Sequence, residues 1–206
     1  MSLRHYLSFG HLQSSLLFAQ RSAEIEAAHA GPSPGSAEHR YVSMYAVIAA
    51  AAFLEAVANE VLQDAKDGQG YGLQLDSHNR AALAEYVDHD DTRARTLEKF
   101  QMVLLLCRRQ AFDKGASPYQ EVHLVLQLRN ELVHSRPKTA AWGDPEKLRE
   151  RLEGKFPLNP LMKGMGNPFF PDHCLGSGCA RWAHDSSLAF AKDFHDRLGT
   201  TFQRPT

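Results

Sequence analysis

The chain has 206 residues, 43% of them hydrophobic and 23% charged, an ordinary balance for a globular protein of one domain or one domain with a decorated end. Its 23 Lys and Arg against 24 Asp and Glu give a formal net charge of −1. That excludes a global basic field for nucleic acid, so any RNA contact must rest on a local patch.

The first apolar stripe, Tyr6, Phe9, Leu12, Leu16, Leu17, Ala19 and Ile25, predicts a helix over residues 3–29. It stops at the breaker Gly31-Pro32-Ser33-Pro34-Gly35. A second helix is predicted over 37–66. Its middle, from Ala46 to Glu60, is apolar nearly all round, which marks the central helix of a bundle. The small residues there permit close approach of a neighbour. Glu55 and Asn59 are four apart and share a face of this helix. An ionisable group on a buried helix needs a partner. Glu55 is read either as a structural ion pair or, with Asn59, as lining a functional cleft. The longest apolar run, Met44 to Leu54, is short of the roughly 20 residues of a membrane span.

The glycines of Asp67-Gly68-Gln69-Gly70-Tyr71-Gly72 lack the strand–turn–helix setting of a phosphate loop. A short helix is predicted over 79–87. Asp88-His89-Asp90-Asp91 reads as a cap for the next helix, over 92–110, rather than as a metal site. Leu97, Phe100, Val103, Leu104 and Cys107 form the inner face of that helix, and Arg108-Arg109 suit its C-terminus or extend an RNA surface.

Ser117-Pro118-Tyr119-Gln120 reads as a helix entry, with Ser117 as cap, Pro118 in the first position and Gln120 completing a capping box. Val122, Val125, Leu126, Leu128, Leu132 and Val133 supply the apolar face, and Pro137 ends the helix. Its last turns carry Arg129, Asn130 and His134. Asn130 and His134 are four apart on one face, whereas Arg129 points about 140° away from His134 at roughly 100° per residue. One ligand therefore meets both groups only through a long side chain or through two copies of the helix. An arginine binds phosphate bidentately and stays charged. A histidine exchanges a proton near neutral pH. Together they suffice for metal-free RNA cleavage: His moves the proton and Arg stabilises the charged phosphorane. The same two residues also suit a helix C-terminus through the macrodipole alone.

Beyond this helix a short charged helix is predicted from Asp144-Pro145 to about Phe156. The proline-rich stretch 157–178 follows, read as an ordered wrap anchored by Leu161, Met162, Phe169 and Phe170. A last helix over 179–198 turns Trp182, Leu188, Phe190, Phe194 and Leu198 inward and stops at Gly199. His173, Cys174, Cys179 and His184 hold the donor types of a zinc site but lack a close Cys-x-x-Cys or His-x3-His knuckle, so buried packing is the favoured reading and no metal is assigned. Three cysteines with no apolar leader at Met1-Ser2-Leu3-Arg4-His5 point to a reducing cytosol.

The run Arg129-Asn130-Glu131-Leu132-Val133-His134, after Leu128 and before Pro137, resembles the signature of HEPN domains of the ribonuclease-associated type. In that pattern an Arg is followed directly by a polar residue and, after four to six intervening residues, by a His at a helix end. The Ala-rich helix bearing Glu55 and Asn59 is similar to the helix of that family that carries a polar residue. The resemblance spans about residues 40–136 and implies an all-α bundle that forms a homodimer, with two Arg–His pairs facing one cleft. It further implies a metal-independent endoribonuclease without cofactor, often a toxin or phage-defence effector with a neutralising antitoxin partner. Arg129 and His134 would be catalytic, with Asn130 positioning, Glu55 and Asn59 supporting, and Arg136 and Lys138 gripping RNA. The products would carry a 2′,3′-cyclic phosphate and a 5′-hydroxyl. No DNA or membrane partner is expected, and the location is cytoplasmic. The alternatives are a non-catalytic module that binds RNA, a nucleotide or a protein, and a purely structural dimer.

Overall fold

A computed structural model of the chain describes residues 5–29, 31–33, 36–68, 76–89, 95–135 and 147–202. These residues are all-α: seven α-helices and two short helical turns, with no strand among the described residues. The helices are α1 (Ser8–Ala28), α2 (Ala37–Asp67), α3 (Ser77–His89), α4 (Thr96–Leu106), α5 (Tyr119–Val133), α6 (Lys147–Leu152) and α7 (Ser177–Leu198). The predicted elements recur in order, with shifted ends. α4 is shorter than predicted: Cys107 leaves helical geometry and Arg108 takes φ +54°. α5 begins at Tyr119, after a cis Ser117–Pro118 bond, and its first bonds run from Gln120 N to Ala116 O and from Val122 N to Pro118 O. Pro118 therefore precedes the helix rather than opening it.

The chain divides into two compact units. One comprises Met1–His11, Ala52–His123 and Ser187–Thr206; the other Leu12–Ala51 and Leu124–Ser186. α1, α2, α5 and α7 each contribute to both.

The first unit is built on aromatic packing. Phe100 of α4 meets Phe190 and Phe194 of α7 edge-on, at 5.0 Å and 4.7 Å between centroids, and Phe112 stacks on Phe190 at 4.4 Å. These are the offset and T-shaped arrangements that aromatic quadrupoles favour. Gln101 holds the Phe112 backbone at both its N–H and its C=O, each at 2.9 Å, and Arg197 lies 4.4 Å over the Phe112 ring. Glu60 of α2 accepts hydrogen bonds from the N–H groups of Leu7 and Ser8 at 2.8 Å, so a carboxylate from another helix caps the start of α1.

His195 of α7 sits in this unit between the Phe194 and Phe202 rings, its Nδ1 2.8 Å from Thr200 Oγ1. Burial lowers its pKa from 6.5 to about 4, against a small opposing pull from Asp196. The folded value lies below the unfolded one. The resulting stability is complete above pH 6.5 and is lost as the pH falls towards 4. The gap corresponds to roughly 3 kcal/mol. Urea unfolding at pH 7 and pH 4.5 reads this loss; in His195→Leu the part of the slope between those pH values that comes from this residue disappears.

In the second unit Val47, Ala50 and Ala51 of α2, Leu124, Val125 and Leu128 of α5, and Leu152 of α6 form a dry cluster with Phe156, Phe169, Cys174, Leu175, Cys179 and Ala183. Leu161, Met162 and Phe169 are buried, as the wrap reading expects. α1 and α2 approach closely through small residues. Ser15 Oγ donates to Ala46 O at 3.0 Å, Ser22 and Ser43 hydroxyls meet at 2.8 Å, and Ala19, Ala46 and Ala180 cluster. By length and apolarity α2 meets the criteria of a membrane span, with mean hydropathy 1.7 over its 18-residue window. Within the protein its Ala46, Val47, Phe53 and Leu54 are fully buried.

Candidate active site on the motif helix

α5 has two faces. Val122, Val125 and Leu128 are fully buried and fix the helix on its apolar side. His123, Gln127, Asn130 and His134, spaced four, three and four apart, fall on one stripe. On this stripe His123, Asn130 and His134 are exposed and Gln127 is half-buried. His134 lies one residue beyond the last helical residue, and its N–H still donates to Asn130 O at 2.9 Å. The Asn130 and His134 side chains thus stand one turn apart on open surface. Arg129 is half-buried on the flank, one turn from both Val125 and Leu132, and so leaves the helix beside its core-facing side. The angular separation read from the spacing persists. Arg136 and Lys138 lie outside the described residues.

Glu55 and Asn59 are not buried on α2. Both are exposed, because the residues that make α2 apolar leave one narrow solvent stripe and these two occupy it. They belong to the first unit, whereas Arg129, Asn130 and His134 belong to the second. Asn59 Oδ1 accepts a hydrogen bond at 2.9 Å from the Nζ of Lys99, a lysine only 8% exposed. Asn59 therefore satisfies a nearly buried ammonium of α4. Of the other cations singled out, Arg108 contacts His78 Nε2 at 3.3 Å, and Arg109 covers Gly199 (φ +78°), the predicted stop of α7.

The cysteines are free and buried. Burial pushes the Cys179 thiol well above its usual pKa, and the adjoining Cys174 adds to the rise. Burial likewise raises Cys107 to about 11. Inert core thiols fit these values. His173 Nε2 lies 3.1 Å from Met165 O, and His184 is buried with a lowered pKa from desolvation. No group of three or more His, Cys, Asp and Glu among the described residues is arranged to hold a metal ion. The side chains of the Asp88–His89–Asp90–Asp91 turn lie outside the described residues.

One polar cluster has no signature in the sequence. Glu26 of α1 accepts hydrogen bonds from His39 Nε2 at 2.8 Å, from Ser177 N at 2.6 Å and from the Ser177 hydroxyl. Burial pushes its carboxyl up, but the hydrogen bonds from His39 and Ser177 outweigh that and hold the pKa below the ordinary value. The carboxylate stands between the serine and the histidine, so no imidazole bonds the Ser177 hydroxyl and the order differs from that of an activated nucleophile. The cluster caps the first turn of α7 and ties α1 and α2 to it.

In comparisons with known proteins, no family model, curated protein or solved structure matches the chain.

Proposed function

We propose that the chain is a metal-independent endoribonuclease of HEPN type that acts as a homodimer. The observation that carries the reading is the exposed Asn130–His134 pair at the C-terminal end of α5, with Arg129 adjacent on the same helix. His134 transfers the proton at the 2′-hydroxyl or the leaving oxygen. Arg129 stabilises the charge that builds on the phosphate, and Asn130 positions His134 or a phosphate oxygen. The 140° between Arg129 and His134 makes a site shared by two chains the natural arrangement: Arg129 of one faces His134 of the other. Arg136 and Lys138 are assigned to RNA binding on sequence grounds. Glu55 and Asn59 are assigned a supporting role on sequence grounds, with Asn59 also holding the Lys99 ammonium. The reading implies a cytoplasmic toxin or phage-defence effector with a neutralising partner.

A second reading is a non-catalytic RNA-binding dimer, favoured by the half-burial of Arg129. Incubation with mixed cellular RNA separates the two. The enzyme produces fragments whose formation requires His134, whereas the binding module retards RNA without cutting it.

A further inference from the structure

A groove of about 570 Å³ opens on the second unit, within the roughly 300–1,000 Å³ range of small-molecule sites. Ala19 and Ala23 of α1 line it with small side chains. Phe156 and Trp182 also line it. Phe156 is buried, and the half-buried Trp182 ring packs on it at 5.2 Å between centroids, tilted by 42°. Among its lining residues are two cations, Lys155 and Arg181, and one acid, Asp185. The formal charges of the lining residues sum to +1, in a chain whose net charge is −1. Arg181 gives Nε to Asp185 at 2.8 Å, an exposed pair one turn apart on α7 that orients the guanidinium. Gln20 adds an exposed amide to the lining.

We propose that this groove binds one nucleotide, its base stacked on Trp182 and its phosphate held by Arg181 and Lys155. A flat aromatic ring in a groove lined by small residues suits a base of any identity, because every base has a π-face. An arginine oriented by a carboxylate suits a phosphate better than a freely rotating one. Gln20 has the donor and acceptor to meet the edge of the base. The choice of an RNA strand as the source rests on the ribonuclease reading; the chemistry equally takes a free mononucleotide.

The chain has two tryptophans, and Trp142→Phe leaves Trp182 as the only reporter. This protein is titrated with adenosine 5′-monophosphate and with a short oligodeoxyadenylate, which lacks the 2′-hydroxyl and is not cut. The proposal expects saturable quenching of Trp182 fluorescence, weakened roughly ten-fold or more by Arg181→Glu and by Ala23→Phe, which fills the groove. Both substitutions are at exposed positions, so folding is preserved. Quenching by the oligonucleotide alone assigns a strand as ligand, and quenching by the mononucleotide alone assigns a free nucleotide. Absence of quenching by either, or quenching that neither substitution weakens, overturns the proposal. Quenching retained in a protein that cuts no RNA would sink the ribonuclease reading and leave the groove; RNA cutting without quenching would do the reverse.

Discussion

Replacing His134 by Ala lowers RNA cleavage by about 10²–10⁴-fold, the usual contribution of a positioned general acid or base. Arg129→Ala has an effect of similar size, and Arg129→Lys does not restore the rate, because an ammonium cannot reproduce the planar fork on a phosphate. His134 is exposed, so His134→Ala leaves the unfolding midpoint where it was, and lost activity then reports chemistry. Arg129 is half-buried, and its variant is compared at matched folded fraction. Mixing the two inactive variants adds a stronger constraint. A site shared between chains pairs the intact Arg129 of one variant with the intact His134 of the other, and part of the activity returns. Two pairs each working within one chain would give no return. Initial rates on a single labelled RNA, measured for each variant and for the mixture, decide between these outcomes.

Glu26→Ala destabilises the protein by about 3 kcal/mol, the scale of breaking a buried charge-assisted network from one side. The substitution strands the His39 imidazole, 3% exposed, and two donors of Ser177 at the first turn of α7. Glu26→Gln keeps an acceptor for Ser177 N and loses less. Since the folded pKa of Glu26 is lowered, its contribution is complete above the unfolded value of about 4.3 and is lost as the pH falls through the folded value. Gly178→Ala tests the same corner by a different mechanism. A Cβ there would lie 2.3 Å from the Pro157 carbonyl oxygen, a backbone atom that cannot swing aside, and the expected loss is again about 3 kcal/mol. Urea unfolding at pH 7 measures both. A loss below about 1 kcal/mol in Glu26→Ala would show that the cluster does not hold α7.

The helices were legible because apolar periodicity is a local property. α2, α5 and α7 carry it strongly, and their buried residues, among them Val47, Leu128 and Phe190, are those the pattern turned inward. Helix ends were less legible, since they depend on backbone choices such as the positive φ of Arg108 that no residue type there announced. Glu55 shows where the pattern misled. A helix apolar nearly all round suggested a buried carboxylate, yet one solvent stripe remains, and Glu55 and Asn59 lie on it. The Glu26 cluster was invisible, because its partners lie 13 and 151 residues away and each residue type is ordinary alone. The groove around Trp182 was equally hidden: Trp182 read as an inward residue, and among the residues that line the space with it are Ala19 and Ala23, from a helix far away in sequence. On the motif helix, the shared face of Asn130 and His134 followed from a spacing of four, and so did the divergence of Arg129. The environment of Arg129, set by the packing of α5, did not.

The measurement that bears most directly on the account is the chemistry of the cut ends. The 206-residue chain is incubated with RNA in excess EDTA, and the fragments are analysed at both termini. Attack by the 2′-oxygen predicts cutting that survives EDTA and leaves a 2′,3′-cyclic phosphate on one fragment and a 5′-hydroxyl on the other. Cutting abolished by EDTA, or fragments bearing a 5′-phosphate, would contradict the mechanism assigned to Arg129 and His134.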